Sequence, residues 1–204
     1  MSDFANVLLR RLRYFLTPQL DIYKHLAPRL YDADVLEIGF GTGLGVLQYI
    51  SSANHVDAID SDADAVAFAL EMFPIHNVRW LHRSALERHD RPYDAIIAIE
   101  TLEHIADWQL AVVQMGRALR PNGSVYLSRP NANANLRKND LHEEEWSAAQ
   151  FAENMRRFFR SVTLCDYSLK HTLSADTTAT PLIAVCKDFH IQTEVVDRTL
   201  WQLI

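Results

Sequence analysis

Short apolar runs alternate with helical patterns across most of this chain, and that alternation constrains the fold more than any other feature. Residues 35–38, 56–59, 78–81, 93–99 and 124–128 read as strands. Between them lie helical patterns at about 44–51, from Ser61 to before Pro74, and at 108–119. Ser61-x-x-Asp64 and Ser147-x-x-Gln150 read as capping signatures that open helices. Pro121-Asn122-Gly123 stops the helix that precedes it. Strict alternation of this kind predicts a mostly parallel sheet with helices on both faces. Residues 95–99 are apolar throughout, as expected of a strand covered on both sides. After a helix to about Phe159, residues 162–169 and 182–186 form two strands with no helix between them. They are expected to pair as an antiparallel hairpin at or near the sheet edge. Two helical patterns precede the first strand, one through Phe4, Val7, Leu8, Leu12 and Phe15, the other from Pro18 through Leu30. The expectation is one α/β domain spanning 1–204: a helical cap over 1–32 and a doubly wound, seven-stranded core over 33–190.

At 204 residues, the chain falls within the size range of one domain. Its net charge of -6 gives no electrostatic reason to expect a nucleic-acid partner, although Arg10, Arg11 and Arg13 form a local basic stretch. Cys165 and Cys186 stand in no CxxC pair, so they read as buried thiols in neighbouring strands of a reduced protein. No apolar run has the length of a membrane span, and three arginines interrupt the first apolar stretch, so no signal-peptide pattern forms. A cytoplasmic protein is expected.

The first strand runs into Glu37-Ile38-Gly39-Phe40-Gly41-Thr42-Gly43-Leu44-Gly45. Glycines there permit a tight strand-to-helix turn and let a ligand approach the backbone. The spacing is GxGxG. A dinucleotide fingerprint would need glycine at 44 or 46, where Leu44 and Val46 stand, and no Lys-Ser/Thr follows to make a P-loop. Asp60 ends the second strand, where an acid accepts hydrogen bonds from ribose hydroxyls. Loop and acid together point to a nucleoside-containing cofactor.

These residues resemble class I S-adenosylmethionine-dependent methyltransferases. Residues 35–45 are similar to their first motif and 56–60 to their second. Thr101-Leu102-Glu103-His104-Ile105 resembles the fourth-strand motif of the ubiquinone-biosynthesis O-methyltransferase type, and Arg120-Pro121-Asn122-Gly123 the turn before strand five. The resemblance covers about residues 20–186 and implies the Rossmann-like methyltransferase fold. It implies S-adenosyl-L-methionine as cofactor, with Glu37, Gly39, Phe40, Gly41 and Gly43 around the methionine part. It further implies Asp60 and Ser61 at the ribose, Ser84 and Ala85 flanking the adenine, and Glu100 in the cofactor site. Many relatives carry an acid where Ser84 stands.

Glu100, Glu103 and His104 form an ExxEH motif after the fourth strand, and His142 lies in the loop after the fifth. The rims of those two strands meet at the cleft of such a fold. Two carboxylates and two imidazoles there suit a divalent cation, Mg or Mn. The pattern also resembles metal-dependent RNA 3′-terminal 2′-O-methyltransferases, which implies Glu100, Glu103, His104 and His142 as ligands. In the alternative, His104 works without metal as general base, with Glu103 beside it. The expected activity is methyl transfer to a hydroxyl oxygen of a small molecule. An RNA 2′-O-methyltransferase and an inactive S-adenosylmethionine-binding module stand as alternatives.

Overall fold

The computed structural model describes residues 18–89, 91–134 and 144–191. The expected alternation becomes seven strands: β1 Asp34–Ile38, β2 His55–Asp60, β3 Val78–His82, β4 Tyr93–Ala98, β5 Leu119–Arg129, β6 Phe159–Cys165 and β7 Leu182–Phe189. The helices are α1 Pro18–Leu26, α2 Ala63–Met72, α3 Trp108–Ala118 and α4 Ala148–Arg156. They build one sheet in the order β3-β2-β1-β4-β5-β7-β6. β1 to β5 run parallel, and β7 runs antiparallel to both β5 and β6. The terminal hairpin is therefore as expected, with Cys165 and Cys186 buried, unbridged and on adjacent strands.

Side chains alternate across the pleat and feed two apolar layers. On one face Leu36, Ile38 and Ile96 join Val112 and Met115 of α3 and Phe151 of α4. On the other, Val35 and Ile97 join Leu26 of α1 and Val66 and Ala69 of α2. Of the cap, α1 and a single 3-10 turn, Ala27–Leu30, are described, while the pattern over Phe4–Phe15 and the basic stretch Arg10–Arg13 lie outside the described residues.

Four local expectations are corrected. No regular helix forms over 44–51: a 3-10 turn, Val46–Gln48, sits in a run of turns. Gly43 at φ +77 breaks helical geometry at its start. Helix α2 is capped by Asp62, whose side chain accepts from the Asp64 N–H, and not by Ser61. Pro121-Asn122-Gly123 lies inside β5, absorbed where the register jumps from Tyr93↔Leu119 to Ala95↔Ser124. Asn122, at φ +66, supplies the left-handed residue of that bulge. Strand β6 begins three residues before the expected start and ends at Cys165. The capping box at Ser147 and Gln150 forms in full.

Candidate functional site

The connections run from β1 outward to β3, then from β4 outward on the other side, so strand order reverses between β1 and β4. A crevice opens at the carboxyl ends of the strands at such a switch point. The glycine loop leaves β1 at that point. Gly39, Gly41 and Gly43 all have positive φ, +74, +57 and +77. A Cβ on Gly39 would stand 2.6 Å from Thr101 Cγ2, because that threonine follows β4 and bonds back to the Ile38 carbonyl. Only glycine fits there.

Asp60 ties this loop to the rim of β2. Its Oδ2 accepts from the Gly41 N–H at 2.8 Å, and its Oδ1 from the Asp62 N–H at 2.9 Å. A carboxylate offers about four lone-pair sites, so each oxygen keeps one for a ligand. Asp60 is partly exposed, at the position expected for a ribose acceptor. Ser61 is exposed next to it. Ser84 and Ala85 lie partly exposed in the turn after β3, with Ser84 Oγ accepting from the Leu86 N–H.

Two expected contacts are placed differently. The Phe40 side chain is buried and meets Trp80 edge-on at 4.9 Å, so only its backbone faces the loop. Glu37 is 0% exposed, and both its oxygens are taken: Oε1 accepts from the Tyr23 hydroxyl and Oε2 from that of Tyr49. Burial, opposed by those two bonds, leaves its carboxyl at about 7. Sequence reasoning passed over both tyrosines. Tyr23 stands among the apolar residues of α1, where an aromatic reads as core.

Glu100 closes the crevice from β4. It holds φ +52, an uncommon conformation for a residue with a side chain. Ser128 of β5 fixes it: the Glu100 N–H donates to Ser128 Oγ at 3.0 Å, and Ser128 Oγ donates to Glu100 Oε1 at 2.8 Å. Burial, and then the neighbouring Glu103, push its carboxyl above the usual range. Glu103 lies on the 3-10 turn Leu102–His104, 2% exposed, with neither carboxylate oxygen hydrogen-bonded. Burial raises its pKa too. His104 is exposed on the same turn. Glu103 and His104 thus diverge, one inward and one outward. Among the described residues no three acidic, histidine or cysteine side chains gather into a metal-binding set. His142 lies outside the described residues.

Arg129, the last residue of β5, is a buried cation whose charge partly offsets the rise that burial causes at both glutamates, and sequence reasoning also missed it. It is 2% exposed. Its Nη2 donates to the Glu144 carbonyl at 2.5 Å, and its guanidinium lies 3.7 Å over the Trp146 ring. Burial lowers its pKa to about 10. A charge ending an apolar strand on the carboxyl rim was the available signal. Asn131, in the loop after β5, is wholly buried and donates to the Thr177 and Ala179 carbonyls, so it fixes the loop before β7.

The chemistry of the donor set fits a cationic nucleoside ligand. Asp60 and Glu100 stand beside the loop, Glu37 lies sealed behind it, and no lysine stands in the loop to meet a phosphate. Among the described residues no helix is long and apolar enough to cross a membrane.

Comparison with known proteins covers the stretch of chain that holds these residues. The sequence profile of a methyltransferase domain matches residues 8–171. A probable S-adenosylmethionine-dependent methyltransferase of Mycobacterium tuberculosis is 34% identical over 110 residues, which is 54% of this chain and 40% of that protein. A ubiquinone biosynthesis O-methyltransferase of Rickettsia akari is 27% identical over 124 residues, 59% of this chain and 48% of that one. The chain thus spans about half the length, or less, of these two relatives. Among solved structures, the Haloferax volcanii methyltransferase seen in complex with the Trm112 activator superposes with a TM-score of 0.70 at 16% identity. That match covers 84% of this chain and 91% of the other. The N-methyltransferase NodS of Bradyrhizobium japonicum, bound to S-adenosyl-l-homocysteine, gives 0.64 at 16% identity, covering 83% and 85%. The chain belongs to the methyltransferase domain family, with the class I S-adenosylmethionine-dependent fold.

Proposed function

We propose that this protein transfers a methyl group from S-adenosylmethionine to a hydroxyl oxygen of a small molecule. One observation carries the cofactor reading: the positive-φ glycine loop is held by Asp60 at the point where strand order reverses. The backbone of Gly39–Gly43 would line the methionine part, and the free lone pairs of Asp60 would accept from the ribose hydroxyls. Ser61, Ser84 and Ala85 stand on the rims that would flank ribose and adenine. Glu37 acts at one remove, through the tyrosines that seal it.

When bound, the cofactor supplies an electrophilic methyl group on a sulfonium. The protein's task is then alignment of donor and acceptor, and removal of one proton from the acceptor oxygen. His104, exposed at the mouth, and Glu103, buried and without a hydrogen-bond partner, are the proposed proton-handling groups. The O-methyl assignment rests on the ExxEH motif and on the ubiquinone-type relative. Screening labelled S-adenosylmethionine against catechols, sugars and short RNA tests it. Label appearing on a phenolic or sugar hydroxyl supports the reading; label confined to RNA or to amines overturns the acceptor assignment.

A further inference from the structure

S-adenosylmethionine and its product, S-adenosylhomocysteine, differ by one methyl group and one positive charge. We infer that Glu100, aimed by Ser128, reads that charge and strengthens the hold on the sulfonium donor relative to the neutral product. The identity of the ligand rests on the methyltransferase reading.

The place of the sulfur follows from its neighbours. Asp60 stands at the end of β2 to receive the ribose, and the glycine loop carries the methionine part away from β1. The sulfur joins those two parts, so it lies between them. Its methyl must face the rim left for an acceptor, which is that of β4. Glu100 stands two residues past the end of β4. The next residue, Thr101, touches the loop. Its hydroxyl donates to the Ile38 carbonyl, and its Cγ2 is the atom that a Cβ on Gly39 would meet at 2.6 Å. Glu100 is therefore beside the start of the glycine loop.

Ser128, wholly buried in β5, sets the orientation. Its Oγ accepts from the Glu100 N–H at 3.0 Å and donates to Glu100 Oε1 at 2.8 Å. Its carbonyl receives the same N–H at 3.3 Å. These bonds hold Glu100 at φ +52, which is unfavourable for a residue with a side chain. One serine thus fixes the backbone and the carboxyl together. Oε1 is occupied, whereas no described residue bonds Oε2, and Glu100 is partly exposed.

The charge of the crevice is incompletely compensated. Burial, then Glu103, push the Glu100 carboxyl above its ordinary range, and Arg129 offsets only part of that rise. Glu103 itself has both oxygens buried without a hydrogen bond. A positive charge placed beside such acids relieves them. A sulfonium brings that charge and a thioether does not. Ser128 is accordingly a positioning residue, acting through Glu100.

The test is calorimetry on the full chain with S-adenosylmethionine, S-adenosylhomocysteine and sinefungin, in which an ammonium group stands in for the sulfonium. Glu100→Gln keeps the shape and removes the charge. It is expected to cut affinity for the two cationic ligands about tenfold and to change that for S-adenosylhomocysteine less than about twofold. Equal weakening of all three overturns the inference, because Glu100 would then serve the methionine ammonium that they share. Unchanged affinities overturn it too. Ser128→Ala is expected to shift the same ratio, and to add nothing further in the Glu100→Gln background. A serine with a merely structural role would lower Tm and leave the ratio alone, which overturns its positioning role. Should Ser128→Ala not fold, Glu100→Gln decides whether the charge is read. Wild type that binds none of the three ligands removes the methyltransferase reading itself. Wild type that binds them, with a ratio untouched by Glu100→Gln, keeps that reading and overturns the inference.

Discussion

The Tyr23 hydroxyl, on the cap helix α1, donates to Glu37 Oε1 at 3.0 Å, one residue before the end of β1. This bond joins the cap to the strand from which the glycine loop springs. It is backed by contact: a Cβ on Gly45 would stand 2.5 Å from Tyr23 Cζ. Tyr49 completes the enclosure from the far side of the loop, its ring 6.1 Å from that of Tyr23 and nearly parallel. The cap is therefore seated on the loop and not merely on the sheet.

Tyr23→Phe should remove that bond without a void. A buried carboxyl oxygen then loses its donor, which costs about 1–3 kcal/mol. Stability measured in urea should fall by that amount. Cofactor affinity should fall as well, because the cap is no longer pinned to the loop. A stability loss with affinity unchanged would mean that the bond serves the core alone. Gly45→Ala should have a similar effect by pushing the Tyr23 ring away.

Asp60→Ala removes the oxygen that holds Gly41 and would receive the ribose. A hydrogen bond to a charged group contributes about 1.5–3 kcal/mol, so S-adenosylmethionine affinity should drop about ten- to a hundredfold. Calorimetry on wild type and variant measures it. Tight NAD binding by the wild-type protein, without S-adenosylmethionine binding, would overturn the cofactor assignment.

Gly41 holds φ +57 within the loop. A β-branched residue there is a steric outlier. Gly41→Val should abolish cofactor binding, with the far-ultraviolet circular dichroism spectrum largely preserved because the sheet does not depend on that residue. Unchanged affinity would show that the loop is only a turn.

Much of this frame was legible in the sequence because its signals are periodic or local. Apolar runs bounded by turn residues located the strands, and the missing helix before β7 announced the antiparallel hairpin. Glycine spacing and Asp60 marked the loop and its acid for the same reason. The site's interior was not legible. Glu103 and His104 are sequence neighbours, but a 3-10 turn sends one inward and the other to solvent. Tyr23 meets Glu37 from the cap, and Arg129 meets the Glu144 carbonyl and the Trp146 ring from the end of β5, and such contacts leave no mark at fixed spacing. The turn at 46–48 was overstated as a helix because Leu44, Val46 and Leu47 satisfy an apolar pattern whatever the φ of Gly43.

Asp57 gives a prediction about acid stability that is independent of the reaction. It is fully buried in β2 and accepts from Arg79 Nε and Nη2, from the Tyr93 hydroxyl and, with a tautomer-dependent proton, shares a contact with His55 Nε2. Burial alone would raise its pKa, but the bonds from Arg79, Tyr93 and His55 outweigh it and hold the carboxyl at about 2. An unfolded aspartate titrates near about 3.9. A depressed folded pKa stabilises the native state above the unfolded value, and that contribution fades as pH falls from about 4 through about 2. At about 1.4 kcal/mol for each pKa unit, roughly 2–3 kcal/mol is at stake. Urea midpoints measured between pH 5 and pH 2 should decline across that window. Asp57→Asn should start lower, since Arg79 and Tyr93 lose a carboxylate acceptor, and should decline less steeply. Parallel curves for the two proteins would show that other acids, among them Asp166 at about 2, govern the loss.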